Sequence, residues 1–163
     1  MHIDDGYGTA SMSECLKLDH SLRETIKLKE FELHQISSSY QHLKRVRTIT
    51  EEGTLIRPNE KYIDRMVKVL ELEATNAVST LMAGPSKEEL GADELLDNAD
   101  DITLYRSAVG LALYVALDRT DLRNAVRVLS SYMKEPTKLR LMQAKRLGRY
   151  LKGALDYAVL IPF

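Results

Sequence analysis

Two adjacent carboxylates, Asp4-Asp5, stand between Ile3 and Gly6-Tyr7-Gly8. Paired acids of this kind can offer oxygens to a hard divalent cation. Asp and Gly favour a tight turn, and Ile3 and Tyr7 suit short strands on either side of it. A second pair, Asp100-Asp101, reads only as a solvated turn in an acidic loop. The four histidines (His2, His20, His34, His42) show no metal-ligand spacing and read as surface residues. The single Cys15 excludes an internal disulfide framework and a Cys-rich zinc site, which suits a reducing compartment. On its helix face it reads as a small core residue.

The other chemistry-bearing feature is charge. The formal net charge of −1 conceals a segregation. Residues 81–101 carry seven acids against one base, Lys87. Residues 119–152 carry ten Lys and Arg against two acids, Asp121 and Glu135. A local excess of eight positive charges suits a polyanionic partner better than the whole-chain charge suggests, although a solvated helical surface would look the same. At 100° per residue over 138–152, Leu139, Ala144, Leu147, Tyr150 and Leu151 share one side of a helix. Lys138, Lys145, Arg149 and Lys152 stack opposite, with Arg146 at the margin, a face suited to solvent or phosphate. Arg140 on the apolar side and Gly148 in mid-helix have no explanation at this level.

These groups need elements to position them, and 163 residues suffice for one domain or two small lobes. Helical spacing runs over about 12–30, with Leu16, Leu22 and Ile26 near one face. Residues 40–50 and 54–57 read as the two strands of a hairpin around Glu51-Glu52-Gly53, the glycine supplying a positive φ. Asn59 is placed to cap a helix over 60–72 whose core face is Ile63, Met66, Val67 and Leu70. Residues 75–101, with Gly84-Pro85, Gly91 and the acids, have the composition of a linker or mobile loop. Three helices are then expected over 103–117, 121–133 and 138–152, the first nearly all apolar and central. Gly153 is expected to end the last in the left-handed conformation. The start of the chain has no signal-peptide pattern, and the apolar run 108–117 is too short to span a bilayer. The composition therefore reads as an intracellular chain, cytoplasmic or nuclear, with no membrane partner.

The downstream half carries a series of short motifs in fixed order: Tyr105-Arg106, Val109-Gly110, Leu113-Tyr114, Arg119-Thr120-Asp121-Leu122, Ala125-Val126, Ser130, Met133, Pro136-Thr137, Ala144-Lys145-Arg146 and Arg149-Tyr150-Leu151-Lys152-Gly153. Together they resemble the region that follows the palm in copia-type retrotransposon reverse transcriptases, over about 50 residues. Upstream, Tyr40-Gln41-His42-Leu43 and Gly53 through Ile63 look like that family's primer-grip hairpin and first thumb helix. Lys44 stands where the family usually has glycine. Ala77-Val78-Ser79-Thr80 is similar to the segment that follows, with Leu81 in place of proline. His2-Ile3-Asp4-Asp5 falls where the family has its second catalytic carboxylate box.

The resemblance implies an α+β, mostly helical chain. Residues 1–50 would be a palm remnant with the first strand of the hairpin, and 51–74 the rest of the hairpin and the first thumb helix. Residues 75–101 would be an acidic linker, and 102–163 the helical thumb and connection. It implies that Asp4 and Asp5 are catalytic and bind Mg²⁺, with Asp4 the main ligand. Lys44, Arg45, Arg47, Lys138, Lys145, Arg149 and Lys152 would contact an RNA–DNA or DNA template–primer duplex. The other partners implied are the rest of the Pol polyprotein, its fingers, palm and ribonuclease H domain. Nucleotidyl transfer needs a further carboxylate around two metal ions, and the family's first catalytic Asp precedes the stretch matched here. The chain by itself is therefore expected to be inactive as a polymerase. Two other readings stay open: a degenerate gene fragment without activity, and a co-opted protein-interaction module using the apolar helix 103–117.

Overall fold

The computed structural model describes residues 10–28, 34–82 and 84–163. The expected turn around Asp4-Asp5 lies outside them. The chain divides into two compact units, 1–34 and 35–163.

The first unit contains helix α1 (Met12–Thr25). Ser11 caps it through a reciprocal box: its hydroxyl accepts from the Glu14 amide, and the Glu14 carboxylate accepts from the Ser11 amide. The hydrogen bond from Ser11 holds the Glu14 carboxyl below its ordinary value. None of the helix residues is buried, and Leu16, Leu18 and Leu22 are exposed. Cys15 is half-buried rather than part of a core.

The second unit opens with an antiparallel meander, β1 (Ser39–His42), β2 (Arg45–Ile49) and β3 (Gly53–Pro58). The stretch 40–50, expected as one strand, is folded in two at Leu43-Lys44. His42 pairs with Arg45 across a two-residue turn whose central residues have φ of 49° and 63°. Positive φ at both positions is the type I′ geometry that matches the twist of its strands. Glycine or asparagine would be at ease there; Leu and Lys are strained. The second hairpin falls where expected, but Gly53 begins β3 instead of forming the turn. Its φ of 156° is positive, as expected, and a second need for glycine is added: a β-carbon would run into the Ile161 carbonyl oxygen. That close approach exists because a fourth strand, β4 (Val159–Pro162), returns after the last helix and pairs with β3, Gly53 opposite Pro162. The sheet order is β1-β2-β3-β4.

Helix α2 (Glu60–Val69) starts on the Asn59 side chain, as the capping pattern predicts, and buries Ile63, Met66 and Val67. It ends at Leu70. Glu71 takes φ 56°, its amide donating to Lys68, while the Leu72 amide donates to Val67. These two bonds form a Schellman stop, with Glu at the position that prefers glycine. Next come α3 (Lys87–Gly91), α4 (Ala99–Val115), a short 3₁₀ turn (Thr120–Leu122), α5 (Arg123–Ser130) and α6 (Lys138–Gly153). Helix α4 starts earlier than expected, capped by Asn98. Asp100-Asp101 therefore lies in its first turn, where acids complement the positive end of the helix dipole. Thr137 caps α6, its hydroxyl accepting from the Arg140 amide.

The core is helical. Tyr105, Val109, Ala112 and Val115 of α4 meet Met66 and Leu70 of the α2 region, Val126 and Leu129 of α5, and Ala144, Leu147 and Leu151 of α6. The apolar face of α4 is thus covered inside the chain. The Tyr105 hydroxyl donates to the Leu129 carbonyl at 2.6 Å, and burial pushes its pKa up to about 12. Gly153 is not left-handed. It closes the last turn of α6, where a β-carbon would stand 2.9 Å from that of Ala77. Gly148 now has its reason as well: a β-carbon there would lie 2.7 Å from Leu72 Cδ1 and 3.1 Å from Leu70 Cδ1. Among the described residues no strand residue belongs to this core, so the sheet is tied on by other means.

Candidate nucleic-acid interface

The basic face of α6 is the feature most explicit in the sequence, and most of it is in use. Lys138 Nζ donates to the Glu94 carboxylate at 2.6 Å, and that bond raises the pKa of the ammonium. Arg149 Nε donates to the Asn76 carbonyl at 2.7 Å, while its own carbonyl accepts from the Val78 amide. Arg146 donates to the Thr80 hydroxyl. Lys152 Nζ lies 3.3, 2.6 and 2.9 Å from the carbonyl oxygens of Leu72, Glu73 and Thr75. Lys145 is exposed and makes no hydrogen bond or ion pair among the described residues.

The groups on the other side of these bonds come from residues 72–80 and 93–94, most of them in the stretch 75–101 whose composition suggested a linker. That stretch is instead bonded to α6 at two places, through 75–80 and through 93–94. At the start of α6 the Lys138 amide donates to the Glu94 carbonyl and the Leu139 amide to Asp93 Oδ1. These two amides would otherwise lack intrahelical partners. Leu95 and Thr137 form an isolated antiparallel bridge, and the Leu96 amide donates to the Pro136 carbonyl. The acidic and basic segments of the sequence thus lie against each other.

The sheet cations are divided. Lys44 is exposed at the first turn. Arg45 Nε stands 2.9 Å from the buried Asp118 carboxylate at the end of α4, one of the ties between sheet and helices. Arg47 is half-buried in the middle of the sheet, opposite Tyr40 and Ile56. A basic stripe not anticipated from the sequence lies on α2: Lys61, Arg65 and Lys68 are exposed at i, i+4 and i+7, opposite the core face. Its helical spacing was legible, but the apolar face of the same helix gives the stronger signal. Asp4 and Asp5 lie outside the described residues. Among the described residues no three of His, Cys, Asp or Glu gather where they could hold a metal ion, and no helix is long and apolar enough to cross a membrane.

Comparison with known proteins bears on what this arrangement belongs to. Over 99% of its length the chain is 32% identical to the retrovirus-related Pol polyprotein from transposon RE2 of Arabidopsis thaliana. Over 62% of its length it is 33% identical to the corresponding polyprotein from transposon RE1. The chain is related to retrotransposon Pol polyproteins. It spans about 10% and 7% of the lengths of those two relatives. It is also 24% identical, over 99% of its length, to the uncharacterized mitochondrial protein AtMg00810 of the same plant, of which it covers 63%. No protein-family model and no solved structure matches it.

Within this Pol-related chain, the segment Arg119-Thr120-Asp121-Leu122 has a structural task that its charge disguises. Arg119 is 2% exposed. Its Nε and Nη2 grip the two Asp121 oxygens at 2.9 and 2.7 Å, and Nη1 donates to the Ala154 carbonyl at 2.7 Å. The guanidinium carbon lies 4.9 Å from the centre of the Tyr157 ring. The Tyr150 hydroxyl donates to the same carboxylate at 3.0 Å. Burial pushes the Asp121 carboxyl up, and the bonds from Arg119 and Tyr150 together outweigh it, leaving it below its ordinary value. The cluster joins the α4–α5 turn to the end of α6 and the approach to β4. Arg140 has a similar explanation. Its Nη1 and Nη2 donate to Gln143 and to the Tyr132 hydroxyl, and it stacks 4.2 Å over the Tyr132 ring. Both arginines count toward the basic excess of the sequence, and neither is available to a ligand.

Proposed function

We propose that this chain is a segment of a copia-type retrotransposon reverse transcriptase, reaching from the second carboxylate box through the thumb, and that it helps to hold the template–primer duplex. The observation that carries this reading is the relation to retrotransposon Pol polyproteins over nearly the whole chain, taken with the ordered motifs from Tyr105 to Gly153. Duplex recognition of this kind runs through phosphates and groove shape, which suits Lys and Arg on rigid helices. The surface offered consists of Lys145 on α6, Lys61, Arg65 and Lys68 on α2, and Lys44 at the hairpin tip. Lys138, Arg149 and Lys152 join it where their present partners yield. In the polyprotein, Asp4 and Asp5 would supply carboxylate oxygens to Mg²⁺, and fingers, palm and ribonuclease H would complete the enzyme.

The test is hybrid binding by the 163-residue chain. Neutralising Lys138, Lys145, Arg149 and Lys152 should weaken binding to an RNA–DNA hybrid and flatten its salt dependence, by about one unit of log–log slope for each phosphate no longer neutralised. Unchanged affinity at low salt would remove α6 from the interface. Mg²⁺-dependent nucleotide incorporation by this chain alone would overturn the expectation that it is inactive by itself. For the alternative of a protein-interaction module, Tyr105, Ala108, Val109, Ala112 and Val115 are buried against the other helices, and the exposed apolar side chains left in the run 103–117 are Leu113 and Leu117.

A further inference from the structure

We propose that residues 72–96 act as an autoinhibitory strap, an internal cover for the basic face of α6 that a bound polyanion displaces. The proposal rests on the reading of that face as phosphate-binding. An ammonium group has three N–H donors and no more, and Lys152 has three carbonyl oxygens of the strap within hydrogen-bond distance. It has nothing left to offer a phosphate while the strap is in place. Arg149 and Arg146 are engaged by Asn76 and Thr80 of the same segment, and Lys138 by Glu94. Four cations along one helix are therefore met by two short runs of the strap, 72–80 and 93–94. Its far end places two anions where phosphates would sit: the Glu94 carboxylate on Lys138, and the Asp93 carboxylate on the Leu139 amide at the positive end of the α6 dipole.

The bonds between cover and cations are of a strength that a polyanion can replace, while Leu72 and Leu96, buried in the core, anchor the strap at its two ends. Its acidic end is held by an exposed ion pair, Lys138 and Glu94 being 59% and 70% exposed, and such pairs are weak in water. Its other end bonds through backbone carbonyls, which carry only partial charge, whereas a phosphate oxygen offers the same lysine or arginine a full one. Displacement would free Lys138, Arg146, Arg149 and Lys152 together from their present partners. Nucleic acid would then meet cations that, in its absence, are engaged within the chain.

The experiment uses a reversible lock. In a Cys15→Ser background, Ala77→Cys with Gly153→Cys sets a disulfide across the strap, since a β-carbon at Gly153 would already be 2.9 Å from that of Ala77. A disulfide wants about 3.8 Å, so the two segments need to part by roughly 1 Å. Binding of a short RNA–DNA hybrid is measured with the bridge oxidised and reduced. Amide hydrogen exchange at Val78 and Leu96 is followed in the wild-type chain with and without hybrid. Expected are binding weaker by about tenfold or more in the oxidised form, with a shallower salt slope, and faster exchange at both amides when hybrid is bound. Glu94→Gln should tighten binding by roughly threefold, the scale of one exposed ion pair. Glu88→Gln, the same charge change in the same arm with no bond to α6, should do less. Equal binding by both redox forms, with unaltered exchange while hybrid is bound, overturns the strap and leaves the polymerase reading intact on the α2 surface. Failure of every form to bind at low salt sinks the underlying reading and the strap with it. If the double-cysteine chain does not fold, wild-type exchange at Val78 and Leu96 decides alone.

Discussion

Lys44 and Glu71 occupy left-handed positions, φ 63° and 56°, that glycine tolerates and a β-carbon makes unfavourable by roughly 1–2 kcal/mol. Lys44→Gly and Glu71→Gly should therefore each raise stability by about 1 kcal/mol, read as the midpoint of urea unfolding, even though glycine loosens the unfolded chain. A fall in either midpoint would mean that the turn has another geometry in solution. The two sites differ in how far they could be anticipated. Lys44 stands where the resembled family has glycine, so the sequence flagged the position, though not the turn. Glu71 falls inside a run read as helix to residue 72, and nothing in its neighbours announced the stop. Asn59 was easier, because a cap is a short polar side chain one residue ahead of a periodic apolar run, and local order is enough to show it.

At the scale of elements, two helix glycines separate propensity from packing. Gly110 in α4 faces open space, with nothing within 4 Å of where an added methyl would stand. Gly110→Ala should stabilise by about 1 kcal/mol, the ordinary difference between the two residues in a helix. Gly148→Ala gains the same propensity but drives a methyl into Leu72 and Leu70, and overpacking of that kind takes away about 1–3 kcal/mol. A lower thermal midpoint for Gly148→Ala and a higher one for Gly110→Ala is the expected pair of results. Equal shifts would show that α6 can move away from Leu72. The same contrast explains what was legible. The apolar side of α6 was read correctly from spacing, since Leu139, Ala144, Leu147, Tyr150 and Leu151 are all buried. The opposite side could not be read that way. Spacing tells which residues share a face, and not whether another part of the chain covers it.

For the whole molecule, the cluster around Arg119 joins parts of the chain far apart in sequence. A carboxyl held below its ordinary value contributes stability above its unfolded pKa of about 3.9, and loses it as pH falls through the folded value. Asp121 should thus support the fold at neutral pH and fail in acid below about pH 4. Asp121→Asn should lower stability near neutral pH by about 2–3 kcal/mol, less than for a fully buried pair because the Asp121 side chain is 33% exposed. It should also flatten the acid limb of the stability curve; an acid limb parallel to wild type would show that other carboxylates govern it. What the sequence determined by itself was local or periodic: the caps, the core faces of α2 and α6, the mixed α+β class and the ordered motifs. The tertiary structure decided the rest. It folded the acidic stretch onto the basic helix, buried Arg119 and Arg140, and returned β4 to β3 across Gly53. Each of these joins residues distant along the chain, and a charge or a glycine carries no mark of what will lie against it until the backbone has closed.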